Sequence, residues 1–257
     1  TLLTEPETLL TEPETLLTLR PLGPRHVDPA FDDYRFQPLL PYRLSALGPG
    51  MAWEDVDGDG DPDLWLGGGF GAAGEIPLNH AGTLTASAQP ALVADAGAED
   101  MGGLFFDADG DGDADLYVVS GGNEVAPGAR LLRDRLYLND GKGAFTRAPD
   151  AVPDLRDAGG PVVAADYDQD GDLDLFVGGR HVPTRYPRVP NSRLLRNEGG
   201  RFVDATPSAA PGLGASGLVT AAVWSDADGD GDQDLLVAHE WGPIRLWLNQ
   251  GGRLVEG

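Results

Sequence analysis

The sequence predicts an all-β fold, a β-propeller of four-stranded antiparallel blades, on three observations. A nine-residue acidic loop, Asp-x-Asp-x-Asp-Gly-Asp-x-Asp, occurs four times, at 55–63, 107–115, 166–174 and 226–234. Successive loops start 52, 59 and 60 residues apart, a spacing typical of propeller blades and repeat arrays. Each loop runs at once into an apolar triplet, and an Asn beside a Gly-rich turn follows further on, which is strand and hairpin chemistry.

Each unit reads as four strands. A first strand enters the loop, as in Met51-Ala52-Trp53, Leu104-Phe105-Phe106, Val162-Val163-Ala164 and Ala222-Val223-Trp224. A second leaves it as Leu64-Trp65-Leu66, Leu116-Tyr117-Val118, Leu175-Phe176-Val177 or Leu235-Leu236-Val237. A third ends at Leu78-Asn79, Leu138-Asn139, Arg196-Asn197 or Leu248-Asn249, and a tight turn such as Asn139-Asp140-Gly141-Lys142-Gly143 leads into the fourth. Fourth strands are clearest at Ala144-Phe145-Thr146, Arg201-Phe202-Val203 and Arg253-Leu254-Val255.

The loops carry the chemistry. Carboxylates at alternate positions converge only if the backbone curls back, and the glycine at position 6 (Gly60, Gly112, Gly171, Gly231) permits that turn. With oxygen ligands alone and no sulfur, the set suits a hard cation, and calcium, which takes six to eight oxygens, fits better than magnesium, which keeps its waters. Side-chain ligands are expected from positions 1, 3, 5 and 9: Asp55, Asp57, Asp59 and Asp63; Asp107, Asp109, Asp111 and Asp115; Asp166, Asp168, Asp170 and Asp174; Asp226, Asp228, Asp230 and Asp234. Position 7 (Asp61, Asp113, Asp172, Asp232) is expected to give its main-chain carbonyl, for about four calcium ions in all, one per loop. An EF-hand is excluded, because position 12 holds Leu66, Val118, Val177 or Val237 where a bidentate Glu belongs. Asp and Gly favour solvated turns on their own account, but the same five Asp positions in four copies argue for a shared ligand.

Acidic residues number 42 against 18 basic ones, for a net charge of −24, and the loops account for much of the excess. No basic stripe exists to neutralise phosphates, so nucleic acid is not an expected partner. Cysteine is absent, so neither a disulfide framework nor a thiolate metal site is available. All-Asp loops suit the calcium of extracellular modules, roughly 10⁻⁴ to 10⁻³ M, and the expected location is extracellular or at the cell surface. Neither a signal peptide nor a membrane span is visible, and there is no Asn-x-Ser/Thr acceptor.

The domain reading is an extended arm at 1–20, a Pro- and aromatic-rich lead-in at 21–47, and blades over 48–257. The arm repeats TLLTEPE, and its prolines and adjacent Leu pairs exclude a coiled coil. It reads as a linker or as a connector that joins copies into an oligomer or fibre. Five prolines in the lead-in forbid a long helix, and a short strand is expected near Tyr42 to Ala46. Variable inserts at 70–74, 123–130 and 181–190 join second to third strands and form the expected binding surface. The third, with Arg185, Tyr186 and Arg188 among three prolines, is the most distinctive.

The stretches DADGDGDADLYVVSGGNE (107–124), DRLYLNDGKGAF (134–145), DYDQDGDLDLFVGGR (166–180) and NEGGRFVDAT (197–206) resemble the FG-GAP/VCBS repeat family, whose calcium-loop blades also form the heads of integrin α subunits. The resemblance covers about 40–257 and is nearest to bacterial secreted VCBS-repeat proteins related to cartilage acidic protein. It implies a β-propeller with calcium at the blade loops, a part in adhesion or extracellular binding, and no catalytic activity. Family propellers commonly have seven blades, whereas four loops are present here. A four-bladed ring, a segment of a longer propeller and blades shared with a neighbour all remain open.

Catalytic patterns are lacking. His26, His80, His181 and His239 are dispersed, Ser120-Gly121-Gly122 lacks a nucleophile elbow, and no helix-forming stretch follows the Gly67–Gly71 run. The leading expectation is a calcium-stabilised structural or adhesive module that assembles through its arm. The alternatives are a soluble propeller that binds glycan or extracellular protein through its inserts, and a non-catalytic segment of a larger secreted protein.

Overall fold

Among the described residues, sixteen short strands follow from the alternation of apolar and polar residues between acidic loops and Gly turns. A computed structural model describes residues 23–257, so the arm reading at 1–20 lies outside the described residues. Blade 1 holds β1 (Met51–Glu54), β2 (Asp63–Leu66), β3 (Leu78–His80) and β4 (Thr83–Thr85). Blade 2 holds β5 (Glu99–Phe106), β6 (Asp115–Gly121), β7 (Arg135–Asn139) and β8 (Phe145–Arg147). Blade 3 holds β9 (Ala158–Ala165), β10 (Asp174–His181), β11 (Arg193–Asn197) and β12 (Phe202–Asp204). Blade 4 holds β13 (Leu218–Ser225), β14 (Asp234–Glu240), β15 (Arg245–Asn249) and β16 (Leu254–Glu256).

Blades 2, 3 and 4 are four-stranded antiparallel meanders, each with its acidic loop between first and second strands. Blade 1 departs from the expected pattern. Its β1–β2 and β3–β4 pairs are separate sheets, and an isolated bridge pairs Leu66 of β2 with Glu75, upstream of β3. Pro77 explains the break: its carbonyl accepts from Leu64 N at 3.4 Å, but it has no N–H to return.

Strand register decides which blade each side chain meets. The first and third residues after position 9 face the preceding blade, and the second faces the following one. Thus Leu116 and Val118 pack with Trp65 of blade 1, and Tyr117 packs with Leu175 and Val177 of blade 3. Phe176 in turn meets Leu235 and Val237 of blade 4. Each such aromatic, fully buried, contributes about 2 kcal/mol of transfer free energy. Close approach of the inner strands needs glycine: a Cβ on Gly102 of β5 would lie 2.1 Å from the Gly160 carbonyl of β9.

Three buried cores therefore join four blades. No fourth core joins blade 4 to blade 1 among the described residues, and a closed ring is not formed by them. Met51 and Trp53 stand 63 % and 50 % exposed on the outer side of blade 1, and Val223 and Leu236 stand 50 % and 39 % exposed on the outer side of blade 4.

The lead-in is a strap across the ends of the blades opposite the acidic loops. His26 Nδ1 sits 2.8 Å from the Gly67 carbonyl of blade 1, Gln37 donates to Tyr186 O of blade 3 at 2.8 Å, and Tyr42 bonds Glu240 of blade 4. The strand expected at Tyr42 to Ala46 is not formed; Leu44–Ala46 is a 3₁₀ turn. Buried Asp33 is the cause, since its carboxylate accepts the Leu44 and Ser45 N–H groups at 3.2 and 3.1 Å and removes them from any strand ladder. Asp33 sits in the four-residue helix α1 (Asp33–Phe36) and also accepts from Asn123 Nδ2 at 2.7 Å, which ties the strap to blade 2.

Candidate functional site

In all four acidic loops the position-1 carboxylate first satisfies the loop's own backbone. In blade 2, Asp107 accepts from Gly110 N and Gly112 N at 2.8 and 3.1 Å, and Asp111 accepts from Asp113 N at 2.9 Å. Gly112 has φ +93° and its counterparts lie between +93° and +100°, a region where a Cβ is costly. Position 4 of the third loop is Gln169, at φ +61°; its side chain reaches across to Asp232 at 2.5 Å.

Positions 1, 3 and 9 come together in three loops. Carboxylate oxygens of Asp55, Asp57 and Asp63 lie within 4.8 Å of one another, as do those of Asp107, Asp109 and Asp115, and of Asp166, Asp168 and Asp174. In the fourth loop the convergent set is Asp226, Asp228 and Asp230, without Asp234. Position 5 stays outside the triads elsewhere: Asp111 and Asp170 are not in them, and Asp59 groups instead with Asp57 and His80. His80 was not singled out by the sequence pattern. Its Nδ1 approaches Asp59 Oδ2 at 2.7 Å, which raises the His80 pKa and lowers that of Asp59, whose largest lowering comes from the Asp61 N–H.

Position 9 is buried and spans two elements. Asp115 accepts from Ala108 N at 3.0 Å within the loop and from Asn139 N at 2.8 Å at the end of β7. Asp63, Asp174 and Asp234 repeat both bonds. Burial raises the carboxyl pKa to about 6 at Asp115 and about 7 at Asp174, and neighbouring Asp carboxylates add to the rise. Asp109 and Asp168 are raised for the same two reasons. Asp168 Oδ1 is moreover buried without a hydrogen-bond partner. Like charges held together with an acceptor left over fit a small hard cation.

Position 7 also makes a side-chain contact beyond its loop. Asp61, Asp172 and Asp232 accept from Ala81 N, Gly199 N and Gly251 N at 2.7, 3.0 and 3.2 Å, binding each loop to the hairpin turn of its own blade. The Asn that ends each third strand is a further functional residue that reads in the sequence only as turn chemistry. Asn139, Asn197 and Asn249 donate to the position-2 carbonyls of the preceding blade, Val56, Ala108 and Tyr167, at 2.8, 2.8 and 2.7 Å. Loops and blade junctions are thus one hydrogen-bonded system.

At the opposite end, the third insert and the β14–β15 turn frame a cleft of about 700 Å³ with Leu39, Pro41, Val189 and Trp241 in its walls. Glu240 is its fixed anion: Arg180 donates to Oε2 at 2.6 Å, Tyr186 OH to Oε1 at 2.8 Å, and Tyr42 also bonds it. Burial raises Tyr42 to about 12, with Glu240 adding to the rise. Of the insert residues singled out above, Tyr186 enters this network, whereas Arg185 and Arg188 stay exposed. Trp241 is 79 % exposed and holds φ +61°, a strained conformation for a bulky residue. A second cleft, of about 620 Å³, gathers Arg130, Arg133, Arg135, Arg147 and Arg156, but Asp100, Asp95 and Asp154 pair with the last three.

Residues 107–177, from the loop of blade 2 into β10, match the FG-GAP-like repeat family. No curated protein matches the chain. Among solved structures, an Agrocybe aegerita lectin, described for specific recognition of non-reducing terminal N-acetylglucosamine, aligns at 21% identity with a TM-score of 0.49, over 80% of this chain and 50% of its own. The V. cholerae biofilm matrix protein Bap1 aligns at 15% identity with a TM-score of 0.35, over 82% of this chain and 39% of its own. The chain spans about half the length of the lectin. Among the described residues no helix is long and apolar enough to cross a membrane.

Proposed function

We propose that the protein is a calcium-stabilised extracellular module with a structural or adhesive role, its blades held in register by metal at the acidic loops. The convergence of carboxylates at positions 1, 3 and 9 carries this reading, since such a set repels itself unless a cation sits among it. In this reading Asp55, Asp57 and Asp63 and their counterparts hold the ion, and Asp226, Asp228 and Asp230 hold it in the fourth loop. A bound dication supplies positive charge; the chain's own groups do the rest, with position 9 linking the loop to its third strand and the Asn linking it to the blade before. An extracellular setting follows from the donor set, because carboxylate loops of this kind work at millimolar calcium.

Calorimetric titration of the chelator-treated protein tests the proposal. Calcium should bind at about one ion per loop and more tightly than magnesium, and should raise the melting temperature. A melting curve unmoved by calcium would remove the metal from the account.

A second reading is favoured by one observation, the exposed and strained Trp241 beside Tyr186. An aromatic face next to an oriented carboxylate suits a sugar ring, which stacks its apolar side and hydrogen-bonds its hydroxyls. A glycan array probed with the protein and with Trp241→Ala tests it; signal that survives the substitution would place recognition elsewhere.

A further inference from the structure

The cleft beside β7 and β8 of blade 2 gathers five of the chain's 18 basic residues, in a molecule whose net charge is −24. We infer that it binds a tetrahedral oxyanion, the sulfate or phosphate group of a small monoester, at a site separate from the acidic loops and from the cleft that holds Trp241.

The arginines converge from separate segments. Arg130 opens the 3₁₀ turn Arg130–Leu132 and Arg133 follows it, Arg135 lies on β7, Arg147 ends β8, and Arg156 belongs to the loop that leads to β9. Their carboxylate partners are fewer. Asp100 pairs with buried Arg135 at 2.5 Å, Asp95 pairs with Arg147, and Asp154 pairs with Arg156 at 2.6 Å. Among the described residues, Arg130 and Arg133 form no ion pair with a carboxylate. Arg133 donates instead to the carbonyls of Pro149, at 2.6 Å, and Val152, which orient the guanidinium without neutralising it. Asp157, the next carboxylate along the chain, is taken by Arg193 at 2.6 Å. Five cations thus face three carboxylates.

Asp154 marks where an anion is favoured. Its bond to Arg156 lowers its pKa most, and Arg133 and Arg130 add to the lowering, so three guanidinium groups surround one exposed carboxylate. A ligand anion that enters the cleft shares or replaces that position.

Donors are in excess as well. The Nε–H groups of Arg133, Arg135 and Arg147 are buried with no acceptor among the described residues, an arrangement that costs stability unless an acceptor arrives. A carboxylate offers two oxygens in one plane and saturates a single guanidinium fork. A sulfate or phosphate monoester offers three terminal oxygens and can bridge forks that come from different segments. The cleft volume of about 620 Å³ leaves room for a body of sugar size beside the charged group, and Ala94, Leu131 and Pro149 give that body an apolar wall. Negative charge elsewhere on the molecule repels long polyanions, whereas a monoester brings one anionic group only.

Calorimetric titration of the full chain with phenyl sulfate and phenyl phosphate, in excess calcium and at constant ionic strength, tests the inference, with benzoate as the carboxylate control. One ester or both should bind at a single site per chain and more tightly than benzoate; the tighter ester tells a sulfated ligand from a phosphorylated one. Arg130→Gln, at an exposed position, should weaken that binding about tenfold. Asp154→Asn, which removes the carboxylate that competes for Arg156, should tighten it about threefold. Arg188→Gln, an exposed arginine of the third insert, should leave it unchanged, and melting curves verify that all three variants fold. Binding of neither ester at millimolar concentration, benzoate bound as tightly as the esters, or an affinity that Arg130→Gln and Asp154→Asn leave unmoved would each overturn the inference.

Discussion

Asn139 closes the last position of β7 and donates its amide to the carbonyl of Val56 in the neighbouring blade at 2.8 Å, while its backbone N–H meets Asp115 of its own blade at the same distance. One residue therefore ties the loops of two blades together. Asn139→Ala leaves the buried carbonyls of Val56 and Ala114 without this donor and should cost about 1 to 3 kcal/mol in chemical denaturation. Asn79→Ala, which breaks no cross-blade bond among the described residues, should cost no more than about 0.5 kcal/mol. Equal losses at the two sites would show that the cross-blade bond contributes nothing of its own.

Positions 3 and 9 separate metal binding from folding. Asp109 belongs to a carboxylate triad, and its backbone partner is the Asp111 N–H inside the same loop. Asp115 holds two N–H groups whether or not an ion is present. Asp109→Asn should lower the melting temperature in calcium and, by removing one of the repelling charges, raise it slightly in chelator. Asp115→Asn turns an acceptor into a donor facing an N–H and should cost about 1 to 3 kcal/mol in both conditions. Loss of stability by Asp109→Asn in chelator would count against its role as a ligand.

The blade pattern is legible in the sequence because local chemistry sets it: the loops fix the first hairpin of each unit, and Asn-Gly turns fix the last. What was not legible depends on partners distant along the chain. Tyr42 to Ala46 has strand-forming residues, yet Asp33 captures its N–H groups. The Asn that recurs at each third-strand end looks like turn chemistry until the preceding blade's carbonyl is found beside it. Position 7 reads as a main-chain ligand, and the bond from its side chain to the hairpin turn depends on residues well beyond the loop. His80 lacks any spacing signal and meets Asp59 only through the β3–β4 turn.

Glu99 gives the fold a distinctive pH dependence. It is buried near Glu124, Asp28 and Asp100, and burial, with Glu124 adding to it, pushes its carboxyl well above the ordinary value of 4.5. The folded state keeps a proton that the unfolded chain releases, so this site's contribution to stability falls as pH rises above the ordinary Glu range. Glu99→Gln retains a neutral side chain of the same size and abolishes that fall. The variant should match the parent near about pH 4 and exceed it at about pH 8, as measured by denaturation midpoints. A parallel pH profile for the two proteins would refute the raised pKa.

Trp241 sets stability against recognition. Its φ of +61° costs a residue with a Cβ roughly 1 kcal/mol, and a ring 79 % exposed returns little burial energy for it. Trp241→Gly removes the strain and should stabilise the fold by about 0.5 to 1 kcal/mol even though the bond to Tyr186 is lost. Trp241→Ala keeps the strain and should be close to neutral. If the aromatic face serves a ligand, both variants lose binding equally while their stabilities diverge, so the two measurements together separate the ring from the backbone that holds it. Destabilisation by Trp241→Gly would instead mean that the indole bond to Tyr186 holds the cleft together, and the strain would have no functional reading.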